Sequence, residues 1–122
     1  MAIRAIDFVS YDVVDIKRSI AFYRDILGLT LAAEAETWAE FDVAGVTLGL
    51  STYGEKPVPG YKGGASVFLS VDDIEIEVER LKSAGVELFW GPEDTGACLM
   101  AGLTDPDGNR IFLHHRKDGT AG

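Results

Sequence analysis

Cysteine, histidine and basic side chains are scarce in this chain of 122 residues. The single cysteine, Cys98, excludes an internal disulfide, and its apolar neighbours predict that it packs as a small hydrophobic side chain. Eleven Lys and Arg against twenty Asp and Glu leave a net charge of −9, which argues against nucleic-acid and membrane partners and mildly favours cationic ligands. No apolar run reaches the roughly 18 residues of a membrane span, and the N-terminus lacks a signal-peptide core, so we expect a cytoplasmic protein.

The first half of the chain predicts a strand, a helix and three further strands. Residues 7–14 are rich in β-forming side chains and end at Asp15, whose side chain can cap a helix. Residues 16–28 place apolar side chains at helical spacing and finish on Gly28, a residue type that ends helices in the left-handed conformation. Strands are then predicted at residues 29–36, 38–43 and 46–51, with a short turn between the last two.

A proline- and glycine-rich connection, residues 52–64, separates this pattern from a second copy of it. Residues 65–71 are typical of a strand, and Asp72 with Glu75 resembles the capping box of a helix N-terminus. An apolar stripe then runs to Gly85, which ends the predicted helix. The remaining strands are predicted at residues 86–90, 97–103 and 110–115.

The similarity of the two halves indicates an internal duplication. Asp15 lies 58 positions before Asp73, and the apolar stripes that follow keep this offset until a one-residue deletion brings Gly28 onto Gly85. We therefore predict an α+β fold of two tandem βαβββ modules, in which each helix covers one face of its sheet and the paired sheets form a cup. The predicted segments are module one at 1–51, the linker at 52–64, module two at 65–116 and a short tail at 117–122.

Three sequence motifs connect the chain to a known superfamily. A strand followed by "DIKRSIAFYRDILGL", a second module opening "VDDIEIEVERLKSAGV", and the closing "DPDGNRIFL" resemble the glyoxalase, bleomycin-resistance and extradiol-dioxygenase proteins, also called vicinal oxygen chelate proteins. The match covers nearly the whole chain. The resemblance implies a single domain, residues 1–122, whose two βαβββ modules form a cup-shaped mixed β-sheet with the helices outside. It also implies assembly as a homodimer.

The same resemblance identifies where a metal-dependent relative would carry its ligands. Such relatives have a His, Gln or Glu on the first strand of each module, seven residues before the capping acid, and a Glu on the fourth strand. The matching positions here are Phe8, Gly49, Ser66 and Phe112. Divalent transition metals need several converging nitrogen, sulfur or carboxylate ligands, and neighbouring registers restore only an isolated Asp or His. We therefore predict neither a metal nor another cofactor.

The two histidines are adjacent in sequence, on the last predicted strand. Neighbouring strand residues point to opposite faces, so His114 and His115 cannot hold one ion together. Phe112 stands at the ligand position of the superfamily, and alternation places His114 on the same face and His115 on the other. We therefore expect only His114 to face the cup.

The resemblance and the alternation together predict an aromatic and hydroxylated cup lining. Flat rings can stack on planar ligands, and small hydroxyls give adaptable hydrogen bonds. The alternative is that the phenylalanines only fill the cup as core, and the faces of Trp38 and Trp90 are ambiguous from the pattern. The predicted ligand-binding residues are Phe8, Ser10, Asp12, Thr47, Gly49, Ser51, Ser66, Phe68, Ser70, Arg110, Phe112 and His114.

These residues leave three functions open. The first is a protein that sequesters a small aromatic or cationic molecule, such as a drug or natural product, as in the bleomycin-resistance branch. The second is a lyase, isomerase or dioxygenase of the superfamily, either metal-free with Asp12 or His114 as general base, or with an atypical metal site. The third is a dimeric interaction or sensing module. We favour the first, with a small-molecule ligand and no catalytic residues.

Overall fold

The computed structural model describes residues 4–54, 57–60 and 64–122. The chain divides into two compact units, Met1–Pro59 (unit 1) and Gly60–Gly122 (unit 2), and each contains one four-stranded mixed sheet and one helix. This is the α+β architecture and the βαβββ order predicted from the sequence. Residues 55–56 and 61–63 of the predicted linker lie outside the described residues. Within the described ranges, no helix is long and apolar enough to span a membrane.

Unit 1 contains β1 (Phe8–Asp12), α1 (Ile16–Ile20), a π-helical segment (Ala21–Ile26), β2 (Thr30–Glu34), β3 (Trp38–Val43) and β4 (Val46–Ser51). Its sheet has the strand order β1-β4-β3-β2. Its first strand runs parallel to β4, and the other neighbours are antiparallel. The turn between β3 and β4 uses Ala44 and Gly45, whose φ angles of 51° and 88° fit the two-residue hairpin expected there.

The helix of unit 1 packs on one face of its sheet. Asp15 caps it as predicted, because its carboxylate accepts a hydrogen bond of 3.1 Å from the backbone N–H of Arg18. Tyr23 is fully buried, and its ring lies 5.7 Å from that of Phe41 on β3, which is also fully buried. The remaining buried apolar residues of this core are Tyr11, Val13, Ile16, Ile20, Phe22, Ala39, Leu48 and Leu50.

The π-helical segment explains the one-residue mismatch between the two sequence repeats. The backbone N–H of Leu27 bonds to the carbonyl of Phe22, five residues back, at 3.0 Å. This wider turn holds one more residue than an α-helical turn, and the adjacent Phe22 and Tyr23 within the segment are both buried. Gly28 then ends the segment with φ of 77°, as predicted. The extra residue of the first module is therefore absorbed inside its helix.

Unit 2 contains β5 (Val67–Ser70), α2 (Ile74–Ser83), β6 (Leu88–Asp94), β7 (Cys98–Thr104) and β8 (Arg110–Arg116). It repeats the topology of unit 1, with strand order β5-β8-β7-β6 and β5 parallel to β8. Its helix packs on β6, β7 and β8 through Ile74, Val78 and Leu81. Gly85 ends the chain's second helix region with φ of 83°, as predicted.

Two local predictions in unit 2 are wrong. The helix is capped by Asp73, whose carboxylate accepts a bond of 3.1 Å from the N–H of Ile76, so Asp72 and Glu75 do not form a capping box. The strand expected at residues 86–90 instead spans Leu88–Asp94. It continues through Pro92 because an edge strand tolerates a residue without an N–H donor.

The turn between β7 and β8 is held by one buried carboxylate. Asp105 accepts hydrogen bonds from the backbone N–H groups of Asp107 and Asn109, both at 2.9 Å. Its second oxygen accepts from the Asn109 side-chain amide at 2.8 Å. Asp105 and Asn109 are both buried, and Gly108 adopts φ of 87°. The "DPDGN" motif therefore fixes the entry into β8.

Candidate functional site

Each sheet has one face against its helix and a second face, here called the open face. In unit 1, Tyr11, Leu48 and Leu50 are buried on the helix side. Strand residues alternate between faces, so the residues between them belong to the open face. The ladder pairs these residues as Phe8 with Thr47, Ser10 with Gly49, and Asp12 with Ser51. The structure thus places all six lining residues predicted in the first module on one face.

A tryptophan crosses the open face of unit 1. The Trp38 ring lies so close to Gly49 that a Cβ there would be 2.5 Å from Trp38 Cη2. Phe8 meets the same ring edge-on, with the ring centroids 5.4 Å apart. Trp38 Nε1 donates a 2.9 Å hydrogen bond to Glu40 Oε1, a bond within β3. The sequence pattern did not decide on which face Trp38 lies. The signal that could have decided it is Gly49, because a glycine leaves room for the tryptophan ring.

Two polar side chains of this face, Ser51 and Asp12, contact the segment that follows β4. Ser51 Oγ accepts a 3.0 Å hydrogen bond from the backbone N–H of Tyr53. The Asp12 carboxylate lies directly against Gly54, where a Cβ would clash with it. Both side chains therefore hold the segment that follows β4, in addition to any contact with a ligand.

The open face of unit 2 carries most of the second module's predicted lining. Phe68 pairs with Phe112, and Ser70 pairs with His114, across the parallel ladder of β5 and β8. Arg110 lies two residues before Phe112 on the same face. Ser66 lies one residue before β5, outside the ladder. The alternate β8 residues Ile111 and Leu113 are buried on the helix side.

Four rings form a cluster on this face, here called the aromatic face: Phe68, Phe89, Trp90 and Phe112. Phe68 and Phe112 stack, with centroids 4.6 Å apart and planes 9° from parallel. Phe89 and Trp90 meet Phe112 edge-on, at 5.6 Å and 6.3 Å. Phe68, Phe89 and Trp90 are exposed by 53%, 47% and 36%, whereas Phe112 is half-buried. Phe112 is thus the centre of an accessible aromatic surface.

A β-bulge brings two consecutive rings onto this one face. Leu88 pairs with Leu103 on β7, but Trp90 pairs with Gly102, so the ladder shifts by one residue between them. The Phe89 ring lies on Gly102, where a Cβ would be 2.5 Å from Phe89 Cζ. Neither Phe89 nor Trp90 was among the predicted site residues, since the face of Trp90 was ambiguous from the pattern and strict alternation would place only one of the two on this face. The glycine on the neighbouring strand is the signal that could have found Phe89.

The histidine pair divides between environments as the alternation predicts. His114 meets the Phe68 ring edge-on at 6.1 Å, at the margin of the aromatic face. His115 Nδ1 is instead 2.9 Å from the carbonyl oxygen of Val71. The Arg110 guanidinium lies 5.4 Å from the centre of the Phe89 ring, a cation–π contact. Arg110 and His114 therefore border the aromatic face at its two ends along β8.

The residues present do not fit the transition-metal site of the metal-dependent superfamily members. Phe8, Gly49, Ser66 and Phe112 occupy the four matching positions, and three of them have no coordinating side-chain atom. Phe112 is embedded in aromatic contacts, and Gly49 is covered by the Trp38 ring. In the part of the chain that the structure describes, no three His, Cys, Asp or Glu side chains converge to hold an ion.

The two βαβββ units define a class of proteins built by duplication of this motif. The family model described as Glyoxalase/Bleomycin resistance protein/Dioxygenase superfamily matches residues 5–113. The chain belongs to this superfamily.

Individual relatives within this class have different names. A metallothiol transferase FosB from Staphylococcus haemolyticus is 35% identical over 118 residues, covering 92% of this chain and 84% of the relative. A lactoylglutathione lyase from Salmonella typhimurium is 32% identical, covering 88% of this chain and 90% of the relative. Among solved structures, TnmS3, an antibiotic binding protein from Streptomyces sp. CB03234, has 28% identity and a TM-score of 0.77, covering 96% of this chain and 99% of its own.

Proposed function

We propose that this protein binds a small planar aromatic molecule, such as an antibiotic or related natural product, without changing it chemically. The observation that carries the proposal is the aromatic face, where three exposed rings surround Phe112. Similarity to the antibiotic binding protein TnmS3 along almost the whole chain supports it. Phe112 stands where a metal-dependent relative would place its glutamate. The centre of the site therefore offers an aromatic ring in place of a metal ligand.

The exposed rings give the proposal its physical basis. Large apolar side chains exposed together on one face mark ligand or partner sites more often than isolated ones do. Stacked and edge-on ring pairs contribute about 0.5–1.5 kcal/mol each beyond the burial of their area. A flat ligand that stacks on Phe68 or on Trp90 would gain such contacts, and stacking would remove the ligand ring and the protein ring from water.

Calorimetric titration with planar aromatic antibiotics and with bleomycin-type compounds tests this proposal. The Phe112→Ala variant removes the central ring, and we expect it to weaken binding at least tenfold. Ile76→Ala is the matched control, because Ile76 is an exposed apolar residue of α2 in the same unit and points away from the sheet. We expect it to bind as the unsubstituted protein does. Equal binding by both variants, or no binding of any planar compound, would contradict the proposal.

The lining residues of unit 1 belong to the same proposal. Phe8, Ser10, Asp12, Thr47, Gly49 and Ser51 share one open face, and their contact with ligand stays a prediction. Ser66 and Ser70 of unit 2 have the same status. Chemical-shift mapping during the titration tests each of them, since a lining residue shifts on binding and a residue used only for packing does not.

An enzymatic role is the second candidate, because the curated relatives above are named as a transferase and a lyase. Metal-free proton transfer would use Asp12 or His114 as a general base. Product analysis after incubation with each ligand that binds distinguishes the two roles. Elemental analysis of the purified protein tests for an atypical metal site. Stoichiometric tightly bound zinc, iron, nickel or manganese would support a metal-dependent enzymatic role.

We also propose a cytoplasmic homodimer. The edge strand β1 exposes apolar side chains on both faces, with Phe8 48% and Val9 44% exposed, and the edge strand β5 exposes Phe68. The opposite edges, β2 and β6, are interrupted by bulges and carry acidic residues, features that discourage strand pairing. A second copy of the chain is therefore expected at β1 or β5. Light scattering after gel filtration should give twice the 13.2 kDa chain mass, and a monomer would contradict this.

A further inference from the structure

The rings of the aromatic face differ in how much of each ring the chain itself covers. Phe112 is half-buried, and Phe68 is stacked on one of its faces at 4.6 Å. Phe89 and Trp90 also meet Phe112, edge-on, at 5.6 Å and 6.3 Å. Phe89 is exposed, but the Arg110 guanidinium lies over its ring at 5.4 Å, in the place where a ligand stacked on that face would lie. Phe112 and Phe89 are therefore poor positions for a stacked ligand.

Phe68 keeps one face available. It is 53% exposed, the largest exposed fraction of the four rings, although its other face is stacked on Phe112. In the part of the chain that the structure describes, its one other ring neighbour is His114, edge-on at 6.1 Å. With one face covered and more than half of the side chain exposed, the accessible surface lies mainly on the face directed away from Phe112.

The backbone also holds Phe68 more firmly than Trp90. Strands β5 and β8 pair without interruption from Val67 to Ser70, so Phe68 is fixed beside its stacking partner. Trp90 lies on β6, where the pairing with β7 shifts on both sides of it, and it is only 36% exposed. A ring that is fixed before binding loses less conformational freedom when a ligand stacks on it. Phe68 is thus the better platform of the two.

From these contacts we infer that the planar ligand stacks on Phe68, on the face directed away from Phe112. Phe68 is the specificity-determining residue, because only a flat ring can lie against the whole of that face. Phe112 is a positioning residue, which holds the Phe68 ring in place through the stacked pair. The inference rests on the proposed function and assigns its stacking contact to one side chain.

Two matched probes test the preference for a flat ligand: anthracene-2-carboxamide and 9,10-dihydroanthracene-2-carboxamide. They share three rings and an amide, but the saturated central ring folds the second probe. Calorimetric titration gives both dissociation constants. We expect the flat probe to bind the unsubstituted protein about fivefold to tenfold more tightly than the folded one, since only the flat probe stacks over its full length.

Variants of the two candidate platforms connect this preference to one residue. Phe68→Leu keeps an apolar side chain without an aromatic face, and it should reduce the flat preference to within about twofold. Phe68→Tyr keeps the ring and should retain the preference. Trp90→Leu should retain most of it. Ile76→Ala, on the exposed surface of α2, is the control and should keep both affinities.

Phe112→Leu tests the positioning role. Phe68 is still present to stack in this variant, but it is no longer held by a parallel ring. We expect both probes to bind about threefold more weakly, because Phe68 must be ordered on binding, while the flat preference is retained. A purely structural loss would lower the melting temperature without this separation of affinity from preference. Thermal unfolding of every variant provides that comparison.

The outcomes separate this inference from the proposal beneath it. A flat preference that survives in Phe68→Leu and is lost in Trp90→Leu overturns the assignment to Phe68. Equal affinity of the unsubstituted protein for both probes overturns stacking and leaves binding of aromatic molecules intact. Loss of the preference in Phe112→Leu to the same extent as in Phe68→Leu overturns the positioning role. Absence of binding by both probes overturns the inference, and the proposed function fails with it only when the planar antibiotics do not bind either.

Discussion

The two units share a fold and differ in what their open faces display. Strand order, parallel pairing and helix position are the same in both. Where unit 1 has Gly49 paired with Ser10, unit 2 has Phe112 paired with Phe68. The open face of unit 1 carries hydroxyl and carboxylate groups beside the rings of Phe8 and Trp38. The open face of unit 2 carries four clustered aromatic rings. The helix-covered side maintains the fold, so the other side is free to differ.

The largest expected effect concerns what the units share. Leu50 on β4 and Leu113 on β8 occupy equivalent core positions and are buried. We expect Leu50→Ala and Leu113→Ala each to lower the free energy of unfolding by about 2–5 kcal/mol, through lost burial and the cavity left behind. Urea denaturation measures both. A small loss in only one variant would show that the cores are not equivalent.

A second prediction compares the turns that enter the equivalent strands β4 and β8. Asp105→Ala removes three hydrogen-bond acceptances by a buried carboxylate and should cost about 2 kcal/mol, more than one net bond because buried donors lose their partner. Gly45→Ala forces a side chain to adopt φ of 88° and should cost about 1 kcal/mol. Denaturant midpoints at constant slope give both values. The opposite order would mean that backbone strain, and not the carboxylate, dominates turn stability.

A third prediction compares the two glycines beneath aromatic rings. Gly102→Ala must displace Phe89, and Gly49→Ala must displace Trp38. We expect Gly102→Ala to weaken binding of a planar aromatic ligand threefold to tenfold, because the rings lose their preset arrangement, and Gly49→Ala to weaken it less. Calorimetry measures both, and Trp fluorescence reports the displacement of Trp38. A greater loss in Gly49→Ala would place the main ligand contact in unit 1.

The smallest expected effect involves exposed ion pairs, one in each unit. Hydrogen bonding from Arg24 lowers the pKa of Asp25, and hydrogen bonding from Lys117 and from the Gly96 N–H lowers the pKa of Asp94. A lowered pKa stabilises the folded state above the ordinary value of 3.8, and this contribution is lost as pH falls below it. Asp94→Asn should therefore shift thermal unfolding slightly at pH 7 and by less at pH 2. A large shift at neutral pH would contradict an exposed, screened pair.

Periodicity and turn chemistry predicted most of the fold, because they are local properties. The strand alternation, the glycines that end the helices and the hairpin turn were all predicted from the sequence. The capping box at Asp72 failed because neighbouring acids compete for one cap, whereas the 58-residue repeat correctly aligned Asp73 with the capping residue Asp15. The register between neighbouring strands could not be predicted from the sequence either. The bulge that turns Phe89 toward Phe112 was therefore missed.

The site was predictable only as far as alternation extends. The twelve lining residues followed from the ligand positions that the superfamily resemblance implies, extended by alternation, and those on the strands do share the open faces. The positions of Trp38 and Phe89 depend on glycines of adjacent strands, Gly49 and Gly102, which are distant in sequence. Such contacts appear only when the register is known. Sequence patterns therefore located the faces, and tertiary pairing determined which rings occupy them.

The π-helical segment of unit 1 indicates how the two halves of the chain diverged in length. After a duplication, both halves begin with the same length, so the extra residue between Ile16 and Gly28 marks an insertion in one copy or a loss from the other. The helix accepted the change without moving its cap or its terminating glycine. Divergence in length was thus confined to one turn, and divergence in chemistry was left to the open faces.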